Sequence, residues 1–143
     1  MTDLDSTAIS ERIQRIRKSA SVLSEALSKG MEAAASDPFT LSAVKYEVQT
    51  AAQAALDIGD HIIAAASWEM PKSYADIFRI LVQNGVINQE LGQRMMGLAK
   101  LRNVLVHLYL SVDSDTLYDN LTLGIADLES FCQAIVKFLD SQT

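Results

Sequence analysis

The stretch Val44-Lys45-Tyr46-Glu47-Val48-Gln49-Thr50-Ala51-Ala52-Gln53-Ala54-Ala55-Leu56-Asp57-Ile58-Gly59-Asp60-His61-Ile62-Ile63 decides the fold class. Val44, Val48, Ala51, Ala55, Ile58 and Ile62 recur at alternating steps of four and three, the period of an α-helix with one buried stripe. The run is too long for a strand. Its alanines leave room for a second helix to approach closely. The pattern predicts a helix over residues 40–68, stopped by Pro71, with Trp68 as a packing group near its end.

Working outward, the same period recurs on both sides. Ile9, Ile13, Ile16, Ala20, Leu23 and Leu27 make the stripe of a helix over residues 6–29, which ends near Gly30. Asp37-Pro38 falls in the first loop. Ser73 followed by Asp76 resembles a capping box and opens a short helix over residues 74–83, ended by Asn84-Gly85. Asn88 can cap a fourth helix reaching residue 110. Asp113 or Ser114 can cap a fifth reaching residue 140, with Leu117, Leu121, Ile125, Leu128, Cys132, Ile135 and Leu139 as its stripe. Short connections favour antiparallel neighbours. The expected fold is therefore all-α, an up-and-down bundle of about five helices in one domain over residues 1–143.

Composition narrows the class. The 143 residues carry 49% hydrophobic and 21% charged side chains, enough for a real core and a soluble surface. The lone Cys132 excludes an internal disulfide. No apolar run approaches the roughly 20 residues that span a bilayer. The N-terminus lacks the basic-then-apolar order of a signal peptide. A cytoplasmic protein is expected. The formal net charge of −6 argues mildly against nonspecific nucleic-acid binding. Arg12, Arg15, Arg17 and Lys18 nevertheless make the first helix basic, and Lys100 and Arg102 add to the fourth.

The chemistry-bearing residues cluster in Leu101-Arg102-Asn103-Val104-Leu105-Val106-His107-Leu108-Tyr109. Burying four such polar side chains unpaired in an apolar run would cost several kcal/mol. At about 100° per residue, Arg102 and Tyr109 nearly eclipse each other, and Asn103 and His107 share a second line. Arg102 and His107 flank one broad face with Met95, Met96, Ala99 and Val106 between or beside them. Histidine can move a proton near neutral pH, and arginine offers a permanently charged fork that matches phosphate oxygens. That combination suits phosphodiester chemistry. One His–Arg set is thin for acid–base catalysis, and a twofold axis would supply two. A plainer arrangement pairs Arg102 with Asp57 or Asp60 and makes the helix an interaction surface only. Asp57 and His61 have a metal-compatible spacing, but two ligands are too few for a closed site, so a structural role is expected there. Met95 and Met96 are expected to fill core or interface. No glycine-rich phosphate loop, zinc spacing or nucleophilic serine motif is present in the sequence.

The run from Arg102 to Tyr109 has the order Arg, polar residue, spacers, His, spacer, Tyr. It resembles the signature of HEPN-domain ribonucleases, and most of all the HepT toxins of prokaryotic HEPN–MNT toxin–antitoxin pairs. Tyr46-Glu47-Val48-Gln49, the Asp57 to Ile62 block, Pro71-Lys72-Ser73-Tyr74 and Asn84-Gly85-Val86-Ile87 are similar to successive blocks of that family, over residues 8–140. The resemblance implies a dimeric helical bundle and a metal-independent endoribonuclease without a cofactor, in which motifs from two subunits share a cleft. Arg102 would bind the scissile phosphate, His107 would transfer protons and Asn103 would hold the geometry. The partner implied is an MNT-type nucleotidyltransferase antitoxin that transfers AMP to Tyr109. ATP and magnesium would belong to that partner's reaction. The alternative implied is a non-catalytic subunit of a nucleotidyltransferase complex, binding a nucleotide or the partner through the same face.

Overall fold

The computed structural model describes residues 4–107 and 114–142, with the side chains of Met31 and residues 104–123 outside the description. Six helices and no strand occur among the described residues: α1 (Ser6–Ala26), α2 (Met31–Ser36), α3 (Pro38–Ala66), α4 (Tyr74–Gln83), α5 (Gln89–His107) and α6 (Ser114–Ser141). The all-α expectation holds. The five expected helices are present, and a short sixth is added. The expected extension of the fourth helix to residue 110 and the cap at Asp113 lie outside the described residues.

Two local expectations near the first turn need correction. The chain leaves α1 at Leu27, and Gly30, with φ +90°, leads into α2. Asp37-Pro38 does not lie in a loop. Asp37 is the N-cap of α3, its side chain accepting from the Phe39 amide at 3.1 Å and from the Thr40 hydroxyl at 2.7 Å, and Pro38 occupies the first turn. Proline suits that position because its missing N–H would have no helical partner there and its φ is already helical.

The other caps follow the sequence closely. Ser73 accepts from the Asp76 amide at 3.1 Å, the first half of the capping box. The Asp76 carboxylate reaches the Lys72 amide at 2.9 Å instead of the Ser73 amide, and it also holds Arg79. Asn88 accepts from the Leu91 amide at 2.8 Å and starts α5. At the end of α3, Ser67 takes a left-handed φ of 57° to close the last turn.

Packing centres on α3. Val44, Val48, Ala51, Ala55, Ile58 and Ile62 are all buried, as the periodicity predicts. α1 lies along α3 and presents Ile9, Ile13, Ile16 and Leu23 to it and to α6. The α3 alanines keep this approach close. α4 crosses α3 at Gly59, where an added methyl would collide with Ile77 and press on Leu81. Phe78 of α4 meets Phe131 of α6 edge-on at 6.0 Å, and Trp68 meets Phe138 at 6.3 Å. Met95 and Ala99 are core residues, and Met96 packs partly against the core. In α6, Leu128, Cys132 and Ile135 are buried, while Leu117 and Leu121 fall among side chains outside the description. None of the described helices is long and apolar enough to cross a membrane.

Candidate functional site

Arg102 sits on the last turns of α5, half-buried where α3, α4 and α5 converge. Its Nη2 donates to the Gln53 side-chain oxygen at 2.7 Å, and its Nη1 donates to the Asn103 side-chain oxygen at 3.2 Å. The guanidinium carbon lies 5.1 Å from the centre of the Tyr74 ring. Its Nε is buried with no hydrogen-bond partner. Each element contributes for a local reason. α3 supplies Gln53 on its half-exposed edge, Gly59 lets α4 come close enough to bring Tyr74, and α5 carries Arg102 beside Asn103.

The expected pairing of Arg102 with Asp57 or Asp60 is not what the structure adopts. Asp57 accepts instead from the Gln53 amide at 2.9 Å and faces the Arg12 Nε at 3.6 Å. Gln53 thus separates the carboxylate from Arg102, its oxygen toward the guanidinium and its nitrogen toward Asp57. The chain has six arginines. Arg12, Arg15, Arg17, Arg79 and Arg94 each pair with a carboxylate. Among the described residues Arg102 has no such pair. A permanent charge held by amides and an aromatic ring is positioned but not neutralised. It can still take an anion.

Arg102 and Asn103 separate two open clefts. One, of about 430 Å³, lies between α1 and α3 and is lined by Arg12, Arg15, Tyr46, Gln53, Asp57 and Arg102 among others. The other, of about 510 Å³, is bounded by α3, α4 and the Pro71–Tyr74 segment and reaches Asn103. Gln53 and Asp57 border both. Of the basic residues on α1, Arg12 and Arg15 face the first cleft. Arg17 turns to α6, where it meets Glu129 at 3.0 Å.

His107 is the last residue of α5, five positions beyond Arg102, and its side chain lies outside the description. Tyr109 lies outside the described residues altogether. The structure therefore brings together Arg102 and Asn103 of the four expected site residues. The other histidine has a structural partner. His61 Nε2 accepts from the Asp5 amide at 3.2 Å and ties the start of α1 to α3. No cluster of three metal-ligating side chains occurs among the described residues.

Gln53 and Tyr74 were not among the expected site residues. Tyr74 falls in one of the blocks that carry the family likeness, which was a signal for it. Gln53 had none, since a glutamine on a helix edge is ordinary in sequence.

Comparison with known proteins agrees with this architecture. The profile of the family described as "Ribonuclease HepT-like" matches residues 9–135. The mRNA nuclease HepT of Shewanella oneidensis is 32% identical over 98 residues, which are 68% of this chain and 74% of that protein. A solved structure of a tri-AMPylated Shewanella oneidensis HEPN toxin in complex with an MNT antitoxin superposes with a TM-score of 0.83 at 26% identity, covering 96% of this chain and 99% of that one. The structure of the Bacillus subtilis cytosolic protein YutE superposes at 0.87 over 99% of this chain and 95% of that one, but at 22% identity it speaks for the fold alone. With the profile covering most of its length, the chain belongs to the ribonuclease HepT-like family and is a nuclease of that class.

Proposed function

We propose that this chain is the toxin of a toxin–antitoxin pair, a cytoplasmic, metal-independent endoribonuclease built as a single HEPN-like domain and active as a homodimer. The observation that carries this is the state of Arg102. Among the described residues it alone of the six arginines has no carboxylate partner, and it is fixed by Gln53, Asn103 and Tyr74 on the wall of the cleft between α1 and α3. Arg102 binds the scissile phosphate and stabilises the charge that grows on its oxygens as the reaction proceeds. Asn103 holds the guanidinium in place.

His107 supplies proton transfer. An imidazole takes the proton of the ribose 2′-hydroxyl, the 2′-oxygen attacks phosphorus, and the bond to the 5′-oxygen breaks. The departing oxygen takes a proton from a second imidazole, leaving a 2′,3′-cyclic phosphate and a 5′-hydroxyl. DNA lacks the attacking group. His61 is engaged with the Asp5 amide, so a second catalytic imidazole has to come from a second copy of the chain. This is the argument for the dimer.

The partner is an MNT-type nucleotidyltransferase antitoxin, as in the relative solved with its antitoxin. In the silencing reaction the Tyr109 phenol oxygen attacks the α-phosphorus of ATP, pyrophosphate leaves and the phenolic proton is lost. The AMP adds bulk and negative charge to the motif that carries Arg102, and so opposes binding of substrate phosphate. ATP and magnesium serve that transfer only.

The test is cleavage of mixed RNA by the purified chain in excess chelator, with products analysed for cyclic phosphate ends. Cleavage should persist in chelator and disappear in both Arg102→Ala and His107→Ala, with circular dichroism and dimer mass unchanged. Equal inertness of parent and variants toward varied RNAs would refute the nuclease assignment.

A further inference from the structure

We propose that the cleft between α1 and α3 is a second RNA-backbone subsite, in which Arg12 and Arg15 hold a phosphate flanking the scissile one and Tyr46 stacks a base. The proposal rests on Arg102 being the ligand of the scissile phosphate. Arg12 and Arg15 are three residues apart on α1 and so share a face. Both line the cleft that Arg102 also enters. Three guanidinium groups line the cleft with one carboxylate, Asp57, and a second, Glu47, pairs with Arg15 without lining it, so the group keeps an excess positive charge in a chain whose net charge is −6. Tyr46, Thr50, Gln53 and Asp57 succeed each other at helical spacing along α3, spanning about 16 Å at the helical rise per residue. That length suits a strand and exceeds what one phosphate needs.

The charges are arranged for exchange. The Arg12–Asp57 pair is 3.6 Å apart, with side chains 41% and 43% exposed, and a pair of that kind contributes little in water. An arriving phosphate can replace Asp57 at Arg12 at small cost. Arg15 is anchored by its Nη2 to Glu47 and Ser19, while its Nε is buried without a partner, as is that of Arg102. A phosphate at the cleft supplies the acceptor that Arg102 Nε lacks, while Glu47 keeps Arg15 in place as a fixed charge. Tyr46 is 62% exposed on the wall of the same cleft. An exposed ring next to arginines is what single-stranded nucleic acid uses as a stacking platform. Gln49 and Thr50 add neutral hydrogen-bonding groups beside it.

The experiment measures binding of a fluorescent single-stranded oligoribonucleotide, fully 2′-O-methylated so that it is not cleaved, by anisotropy across a salt series. Arg12→Gln should weaken binding several-fold and reduce the slope of log K against log salt by about 0.7, the value for one lost phosphate contact on a single strand. Tyr46→Ala should weaken binding about fivefold or more with the slope unchanged. Arg12→Lys should restore the slope. Arg17→Gln, which breaks a pair on the α6 side, should change neither quantity. Unaltered affinity and slope in Arg12→Gln, with an unchanged melting temperature, would overturn the proposal. So would lowered affinity for the antitoxin with RNA binding intact, because the cleft would then be a protein interface. Loss of cleavage in Arg102→Ala beside a silent Arg12→Gln sinks the subsite and leaves the nuclease standing. Salt-dependent binding through Arg12 in a protein that cuts no RNA does the reverse.

Discussion

In the proposed mechanism Gln53 is the residue on which Arg102 depends most directly, and replacing it by glutamate tests why the partner is an amide. The Gln53 oxygen accepts from Arg102 Nη2 at 2.7 Å, so a carboxylate in the same rotamer forms an ion pair with no rearrangement. The new charge would neutralise the guanidinium and compete with substrate phosphate for the same fork. It would also stand next to Asp57, which loses the 2.9 Å bond from the Gln53 nitrogen and gains a like charge. A hydrogen bond to a charged group contributes about 1.5–3 kcal/mol. If phosphate must displace the carboxylate, that energy is subtracted from binding in the transition state, roughly a 10- to 100-fold loss in kcat/KM. Gln53→Leu removes the same bond without adding charge, so Arg102 is loosened but remains free to bind. Its loss should be smaller, about tenfold. The assay is single-turnover cleavage of an oligoribonucleotide at saturating and subsaturating enzyme, with melting temperature as the control for folding. A glutamate variant that cuts within threefold of the parent, folded and with equal affinity, would refute the claim that Arg102 works because it is left unneutralised.

Three further outcomes follow from the fold. Ser67 holds a left-handed φ of 57° at the end of α3, a conformation that costs an L-residue about 1 kcal/mol and glycine almost nothing. Ser67→Gly should therefore raise the melting temperature by at most about 2 °C, net of glycine's greater unfolded-state freedom, and a clear fall on calorimetry would contradict this reading. Cys132 is fully buried, and burial pushes its thiol up to about 11. It should resist alkylation at about pH 8 in the folded protein and react only in denaturant, as followed by mass spectrometry. The hydrogen bond from Arg79, with a second from the Lys72 amide, holds the Asp76 carboxyl below its usual range. Its contribution is complete above the unfolded value near 4 and fades as pH falls through the lower folded one. Asp76→Asn should thus be less stable than the parent at neutral pH, with the gap closing below about pH 4 in acid titrations of unfolding.

The helices were legible because burial and period coincide in them. All six α3 stripe positions named from spacing are buried, and the bounds of α4, set by Ser73 and Asn84, fall where the capping residues put them. The first connection was harder to read. Asp37-Pro38 carries a turn signal and a helix-start signal in the same two residues, and the bonds that Asp37 accepts from Phe39 and Thr40 decide for the helix start. At the proposed site, Arg102 and Asn103 stand out in the sequence because polar groups in an apolar run have to be explained. Their partners do not stand out. Gln53 is 49 positions away from Arg102 and Tyr74 is 28, and neither side chain breaks the pattern of its own helix.

The acidity of the chain was the property least consistent with cutting RNA, and the pairing of charges removes the conflict. Arg17, Arg79 and Arg94 are matched to Glu129, to Glu69 and Asp76, and to Asp127 and Glu90 on surfaces away from the cleft. Of the six arginines, the two with weak or no carboxylate contact among the described residues, Arg12 and Arg102, both line the cleft where α1, α3 and α5 meet. What an RNA strand meets is that local field, focused in a cleft with protein walls and screened over about 8 Å at physiological salt. A net charge of −6 then discourages binding anywhere else on the protein. Negative charge elsewhere and uncompensated arginine here together favour one binding orientation, with the strand's phosphates over Arg12 and Arg102.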